Sequence, residues 1–279
     1  MFEIRTVSCT SPDAPAEFTR SLRETGFGVL TDHPIGQDRI EEVYAAWKAF
    51  FDGEGKLDWA VDPKRQDGYF PFRSENAKDS PVKDLKEFYH VYPDGRVPPE
   101  LEAMTRRLHA DLTAIGAMLL GWIQDNTPEE VKAGFSEPLP DMLKGSQQNL
   151  LRILHYPALE AAPEPGAVRA AAHGDINLIT VLLAGSAPGL EAMDTSGTYH
   201  EVPCDPGMIA INVGDMLEMA SGGYYPSTVH RVVNPSEGDR SARMSMPMFL
   251  HPRPEVVLKP GTTADDFLTQ RLREIGLKA

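Results

Sequence analysis

Apolar positions recurring every three or four residues mark the first half of the chain as mainly helical. Residues 14–24 carry a modest helical pattern, and Gly26-Phe27-Gly28-Val29-Leu30 then reads as a short strand. From Asp38 to Phe51, Ile40, Val43, Tyr44, Trp47 and Phe50 or Phe51 fall on one helix face, and Gly53 and Gly55 end the run. The longest helix is expected over residues 98–125. Leu101, Met104, Leu108, Leu112, Ile115, Leu119 and Trp122 form its stripe. Thr127-Pro128-Glu129-Glu130 reads as the cap and first turn of a further helix.

The pattern changes near residue 148. From there to about 259, short β-rich runs alternate with Gly, Pro and Asp: LLRILHY, NLITVLLA, GLEAMD, TYHEVP, MIAINVG, TVHRVV, RMSMPMFL and EVVL. Runs of that length and spacing predict a barrel or sandwich rather than alternating βαβ units. Thr263 to Ile275 returns to a helical pattern. The expected class is therefore α+β with a mainly β core. Residues 1–147 would form a mainly helical region packed on that core, and 148–279 the core with a closing helix.

Composition narrows the function classes. Of 279 residues, 41% are apolar and 24% charged, as in ordinary globular proteins. Lys and Arg number 27 against 41 Asp and Glu, a formal charge of -14. Such a surface repels phosphate backbones and anionic lipid, so neither nucleic acid nor membrane is an expected partner. The start, MFEIRTVSCTSPD, lacks a basic n-region and an apolar h-region, and the apolar stretch from Ala114 to Ile123 is too short to span a bilayer. Cys9 and Cys204 read as free thiols. These features predict a cytoplasmic protein, a monomer or small homo-oligomer.

Candidate chemistry sits in the β half. In His173-Gly174-Asp175, residues i and i+2 of an extended segment point to one side, so imidazole and carboxylate can converge on one ion. His230, in Thr228-Val229-His230-Arg231-Val232-Val233, is the best third ligand. Two histidines and one carboxylate leave open positions that suit Fe(II) oxygenases. Zinc with the same ligands and a water competes. Arg243-Met244-Ser245 again puts two groups on one strand face, where guanidinium and hydroxyl can clamp a carboxylate.

Together these segments resemble the isopenicillin N synthase-like family of Fe(II)/2-oxoglutarate-dependent dioxygenases. In the second half the resemblance runs over LLRILHYP (150–157), AAHGDINLITVLL (171–183), GLEAMD (189–194), residues 208–235 and residues 242–257. In the first half it covers LRETGFGVLTDHPI (22–35), GYFPF (68–72) and DLKEFYHVYP (84–93). It implies a double-stranded β-helix (jelly-roll) core with surrounding helices. It also implies that His173, Asp175 and His230 are catalytic iron ligands, and that Arg243 and Ser245 hold the far carboxylate of 2-oxoglutarate with help from Tyr156. Leu154 stands where many plant members carry asparagine, so that polar contact is expected to be missing.

The implied activity is oxidation, usually hydroxylation, of a small molecule by O₂, with 2-oxoglutarate decarboxylated to succinate. Two alternatives remain open: an oxidase of the isopenicillin N synthase type that needs no 2-oxoglutarate, and a non-catalytic ligand-binding protein of the same fold. The interval from His230 to Arg243 is about two residues longer than the family pattern, and Arg240 falls nearer the usual spacing. Arg243 is preferred because Ser245 and the apolar strand follow it; the extra residues are expected to form a hairpin loop. His155 and the Tyr224-Tyr225 pair are candidates for the cavity wall and the barrel mouth, while His200 reads as a surface residue.

Overall fold

A computed structural model describes residues 2–75, 83–158, 167–234 and 241–274. Arg240 and most of the expected hairpin loop lie outside the described residues. The first half runs β1 (Thr6–Ser8), α1 (Ala14–Thr25), β2 (Phe27–Thr31), α2 (Gln37–Asp52), β3 (Gly68–Phe70), β4 (Glu87–Val91), α3 (Pro99–Asp125) and α4 (Glu129–Lys132). The second runs β5 (Leu150–Tyr156), β6 (Ala170–His173), β7 (Ile179–Leu183), β8 (Leu190–Met193), β9 (Tyr199–Glu201), β10 (Ile209–Val213), α5 (Asp215–Ala220), β11 (His230–Val232) and β12 (Arg243–Leu250). A small hairpin, β13 (Val257–Lys259) with β14 (Thr262–Thr263), and α6 (Ala264–Glu274) close it.

From β5 to β12 the chain passes back and forth between two facing sheets. One is eight-stranded, in the order β1-β2-β10-β7-β12-β5-β4-β3; the other is β6-β11-β8-β9. This is the jelly-roll. The first 147 residues add strands as well as helices, since β2 pairs with β10 and β4 with β5. Strand parity sorts the large sheet into two faces. Leu151 and Ile153, Val181 and Leu183, Ile209 and Ile211, and Met244, Met246, Met248 and Leu250 pack with the helices in the main core. Their alternates Leu154, Tyr156, Leu182, Ala210, Arg243 and Ser245 lie on the opposite, inner face, where the apolar ones form two smaller clusters.

The helices are held by the faces their sequences predict. Helix α2 buries Ile40, Val43, Trp47 and Phe51, and Trp47 donates its indole N–H to Thr105 of α3 at 3.0 Å. Gly116 of α3 lies so close to Leu250 that an added Cβ would sit 1.9 Å from its Cδ1, which lets helix and sheet backbones approach. Helix α1 ends at Gly26, whose φ of 73° is the left-handed conformation glycine tolerates. The Thr228 hydroxyl donates to the Thr25 carbonyl at 2.8 Å, tying that helix end to the segment entering β11. Thr127 does not cap α4: its hydroxyl donates back to Ile123 and meets Tyr225 Oη at 2.8 Å. Both cysteines are free.

Candidate active site

His230 of β11 pairs directly opposite His173 of β6 in the small sheet, and their ring centroids are 4.5 Å apart. Asp175 follows β6 by two residues. Its Oδ1 lies 3.8 Å from the Nε2 atoms of both His173 and His230. One ligand atom from each of the three residues lies within 4.8 Å of the others, the only such group found among the described residues. Antiparallel register thus brings together groups far apart in the chain.

The backbone fixes which nitrogens are free. His173 Nδ1 lies 2.7 Å from the Ala171 carbonyl oxygen, and His230 Nδ1 lies 3.1 Å from that of Thr228. A carbonyl only accepts, so each Nδ1 carries a proton, and the neutral tautomer of each ring offers its lone pair on Nε2. The carboxylate is also divided by task. Oδ2 accepts from Thr180 Oγ1 at 2.5 Å and Asn212 Nδ2 at 2.8 Å, which leaves Oδ1 for the histidines. Burial opposes ionisation of Asp175, but His230, His173 and these donors hold its pKa below the usual carboxylate value. Desolvation, and then His230, push His173 down to about 4, so it is neutral at physiological pH. A neutral imidazole at His173 and an ionised carboxylate at Asp175 are protonation states a divalent metal needs, and two imidazoles with one carboxylate are a donor set that fits Fe(II).

Arg243, Ser245 and Phe249 follow one another along the inner face of β12. Phe249 is registered with Thr180, the residue that holds Asp175. Arg243 is 3% exposed and donates Nε–H to the Ala187 carbonyl at 2.8 Å. Its Nη1 is buried with no hydrogen-bond partner among the described residues. Gly185 makes room for it, since a Cβ there would lie 2.5 Å from Nη2. Tyr156, registered with Arg243, lies with its ring 5.3 Å from that guanidinium. A buried cation with an unused donor fits the distal carboxylate of a keto acid.

Two family models match the chain: the 2OG-Fe(II) oxygenase superfamily over residues 148–252, and the non-haem dioxygenase N-terminal region over residues 7–109. A solved structure from Caulobacter crescentus, described as a 2OG-Fe(II) oxygenase family protein, is 32% identical, covers 98% of this chain and 99% of its own, and superposes with a TM-score of 0.79. This chain belongs to the 2OG-Fe(II) oxygenase superfamily. An oxygenase structure from Shewanella oneidensis is 47% identical over 98% of this chain and 99% of its own, at a TM-score of 0.89. A 2-oxoglutarate-dependent dioxygenase of Didymella fabae is 25% identical over 81% of this chain and 78% of its own. The protein is therefore a 2-oxoglutarate-dependent dioxygenase, using Fe(II), 2-oxoglutarate and O₂ on a small molecule.

Several expected wall residues of the oxygenase lie elsewhere. His155 shares the helix-facing parity of Ile153; its Nδ1 bonds Glu87 at 2.7 Å and its ring stacks on Phe51, so it does not line the cavity. Tyr225 is fully buried against Thr127, and Tyr224 packs under Arg23, so this pair braces helices rather than the mouth. His200 bonds Asp194 at 2.7 Å in the β8–β9 hairpin. Leu154 packs with Phe88 and Tyr156 and makes no polar contact there. The sequence reading passed over Thr180, Asn212 and Arg152. Each is a polar residue inside an apolar run at inner-face parity, and that was the available signal.

Proposed function

We propose that His173, Asp175 and His230 bind the catalytic iron, that Arg243, Ser245 and Tyr156 hold the distal carboxylate of 2-oxoglutarate, and that the reaction is a hydroxylation. The observation that carries the reading is the convergence of two Nε2 atoms and one free carboxylate oxygen in a member of this superfamily. Fe(II) with 2-oxoglutarate and O₂ supplies the oxidising equivalents when bound, and the keto acid leaves as succinate and CO₂. The chain's own contribution is positional. Thr180 and Asn212 aim the carboxylate, the Ala171 and Thr228 carbonyls set the imidazole tautomers, and the buried guanidinium of Arg243 neutralises the co-substrate. Leu178, Val213 and Val232, close in sequence to Asp175, Asn212 and His230, are buried and keep water from the backbone that carries those residues.

The substrate enters a cavity of about 760 Å³ that opens on His173 and Asp175. That volume suits a small molecule rather than a polymer. A cytoplasmic enzyme without nucleic-acid or membrane partners, monomeric or a small homo-oligomer, agrees with the charge of -14; no described helix is long and apolar enough to cross a membrane. The test is anaerobic addition of Fe(II) and 2-oxoglutarate, followed by air. The expected result is a weak visible charge-transfer band and then succinate, with both lost on replacing His173, Asp175 or His230 by Ala. Neither band nor succinate from the wild-type protein refutes the reading. Turnover independent of 2-oxoglutarate would favour the oxidase alternative.

A further inference from the structure

The same cavity carries an ion pair that the co-substrate and metal do not use. Arg152 lies on the inner face of β5, and its Nη1 sits 3.2 Å from Glu75 Oε2. Both side chains keep about a fifth of their surface open, 18% and 19%. The pair is rigidly built. The Arg152 guanidinium lies between the Phe88 and Phe249 rings, 4.7 and 5.5 Å from their centroids, and its Nε donates to His90 Nε2 at 2.8 Å. Behind it, Lys86 bridges Glu75 at 2.9 Å and Asp84 at 2.8 Å, and Asp84 accepts the Ala171 N–H on the strand leading to His173. Desolvation works against a charge on Glu75, but Arg152 and Lys86 hold its pKa far below the usual value.

A ligand that covers this pair strips water from a guanidinium and a carboxylate together. A purely anionic ligand would meet Glu75 as repulsion, and a purely cationic one would meet Arg152 likewise. A neutral apolar ligand would leave both charges desolvated with nothing in exchange, which is costly. A ligand with a carboxylate beside an ammonium compensates both in antiparallel array. On the side of Arg152 away from His90, the neighbouring inner-face positions Leu150 and Phe249 are apolar. Leu150 is registered with Phe249, which is in turn registered with Thr180 beside Asp175. Leu150 stands two residues from Arg152 on the same strand, a separation of about 6–7 Å. That is about the length of an apolar amino acid from its carboxylate to the far end of its side chain.

We infer that the substrate is a free α-amino acid with an apolar side chain, its carboxylate on Arg152, its ammonium on Glu75, and its side chain along Leu150 and Phe249 toward the metal ligands. This rests on the oxygenase reading above, and the charge-transfer band of the wild-type protein separates the two. If no band forms, the oxygenase reading has failed; the inference itself is judged on protein that gives the band.

The test loads wild-type protein with Fe(II) and 2-oxoglutarate and adds the apolar L-amino acids singly, each beside its N-acetyl and methyl ester derivatives. Succinate release is measured in air, and binding by anaerobic equilibrium dialysis. At least one free amino acid should raise succinate release tenfold or more, and blocking either its amine or its carboxylate should weaken binding at least tenfold. Glu75→Gln and Arg152→Gln should each raise KM for that amino acid at least tenfold, with a smaller change in kcat, and Glu75→Asp should recover part of the loss. The inference is overturned if no amino acid stimulates, if the blocked derivatives bind as well as the free ones, or if Glu75→Gln leaves KM unchanged. The derivative series stands even where a variant fails to fold.

Discussion

Replacing Thr180 by Val tests whether the division of labour on Asp175 sets the metal site. The substitution keeps the β-branched shape that suits a strand and removes only the hydroxyl. Asp175 is 5% exposed, and its Oδ2 has two donors, Thr180 Oγ1 at 2.5 Å and Asn212 Nδ2 at 2.8 Å. Losing one hydrogen bond to a buried charge costs about 1.5–3 kcal/mol. At about 1.4 kcal/mol per decade, that corresponds to roughly 10- to 100-fold in affinity, the range usual for groups that orient a metal ligand. Asn177, which donates to the same hydroxyl at 2.9 Å, keeps its second acceptor, the Ile179 carbonyl at 3.1 Å, so the damage stays local. The assay is anaerobic Fe(II) titration against a coloured chelator, with circular dichroism to confirm the fold. Thr180→Val should weaken Fe(II) binding by about 10- to 100-fold, and Thr180→Ser should stay within a few-fold of wild type. A folded Val variant that binds Fe(II) like the wild type would refute the reasoning, as would a Ser variant as weak as Val.

Arg243→Gln should raise the 2-oxoglutarate concentration needed for half-maximal charge-transfer signal by at least about tenfold, because a charge-assisted pair is exchanged for a neutral one; an unchanged titration would move the anchor to another residue. Stability should fall on acidification. Desolvation lowers buried His90 to about 3 and buried His251 to about 4, against 6.5 for an ordinary histidine. Between those values the unfolded chain binds protons that the folded chain refuses. The stability is therefore complete above about pH 6.5 and is lost progressively as pH falls from there to about 4 for His251 and about 3 for His90, at about 1.4 kcal/mol per pH unit for each histidine. Urea midpoints at pH 7.5 and 5.0 should show the drop, and equal midpoints would contradict it.

The strand-rich half was legible nearly to the residue at LLRILHY and RMSMPMFL, because β-rich runs of seven and eight residues stand out as strands even where both faces are buried. The His-Gly-Asp motif was legible because both its ligands sit on one local segment. The pairing of His173 with His230 was not, since register between strands so far apart in sequence is written in packing rather than spacing. The contribution of β2 and β4 to the large sheet was hidden for a related reason. β2 reads as a strand, but its pairing with β10 is not legible; β4 is short and buried on both faces, so it shows no alternation against the helical stretches around it. Gly174 between His173 and Asp175 is not demanded by crowding, since an added Cβ would lie 3.4 Å from Asp215 Oδ1 and Ser227 Oγ.

Parity along β5 separates Tyr156 from His155. One residue apart, they face opposite sides of the sheet: Tyr156 meets Arg243 across β12, while His155 meets Phe51 of α2. A family match aligns both and gives no ranking, whereas the alternation does. Ile153 is plainly a core residue, so His155 must share its side, and Leu154, Arg152 and Leu150 must share that of Tyr156. The same alternation puts Arg152 in the cavity with the metal ligands, where its charge otherwise looks like that of any surface arginine in a strand. A guanidinium kept there, partly buried between two phenylalanines and neutralised by Glu75, costs desolvation that a salt bridge only partly offsets. A substrate that completes the charge pattern would recover more of that cost than the pair recovers alone, which is why the cavity favours a zwitterion over an apolar ring.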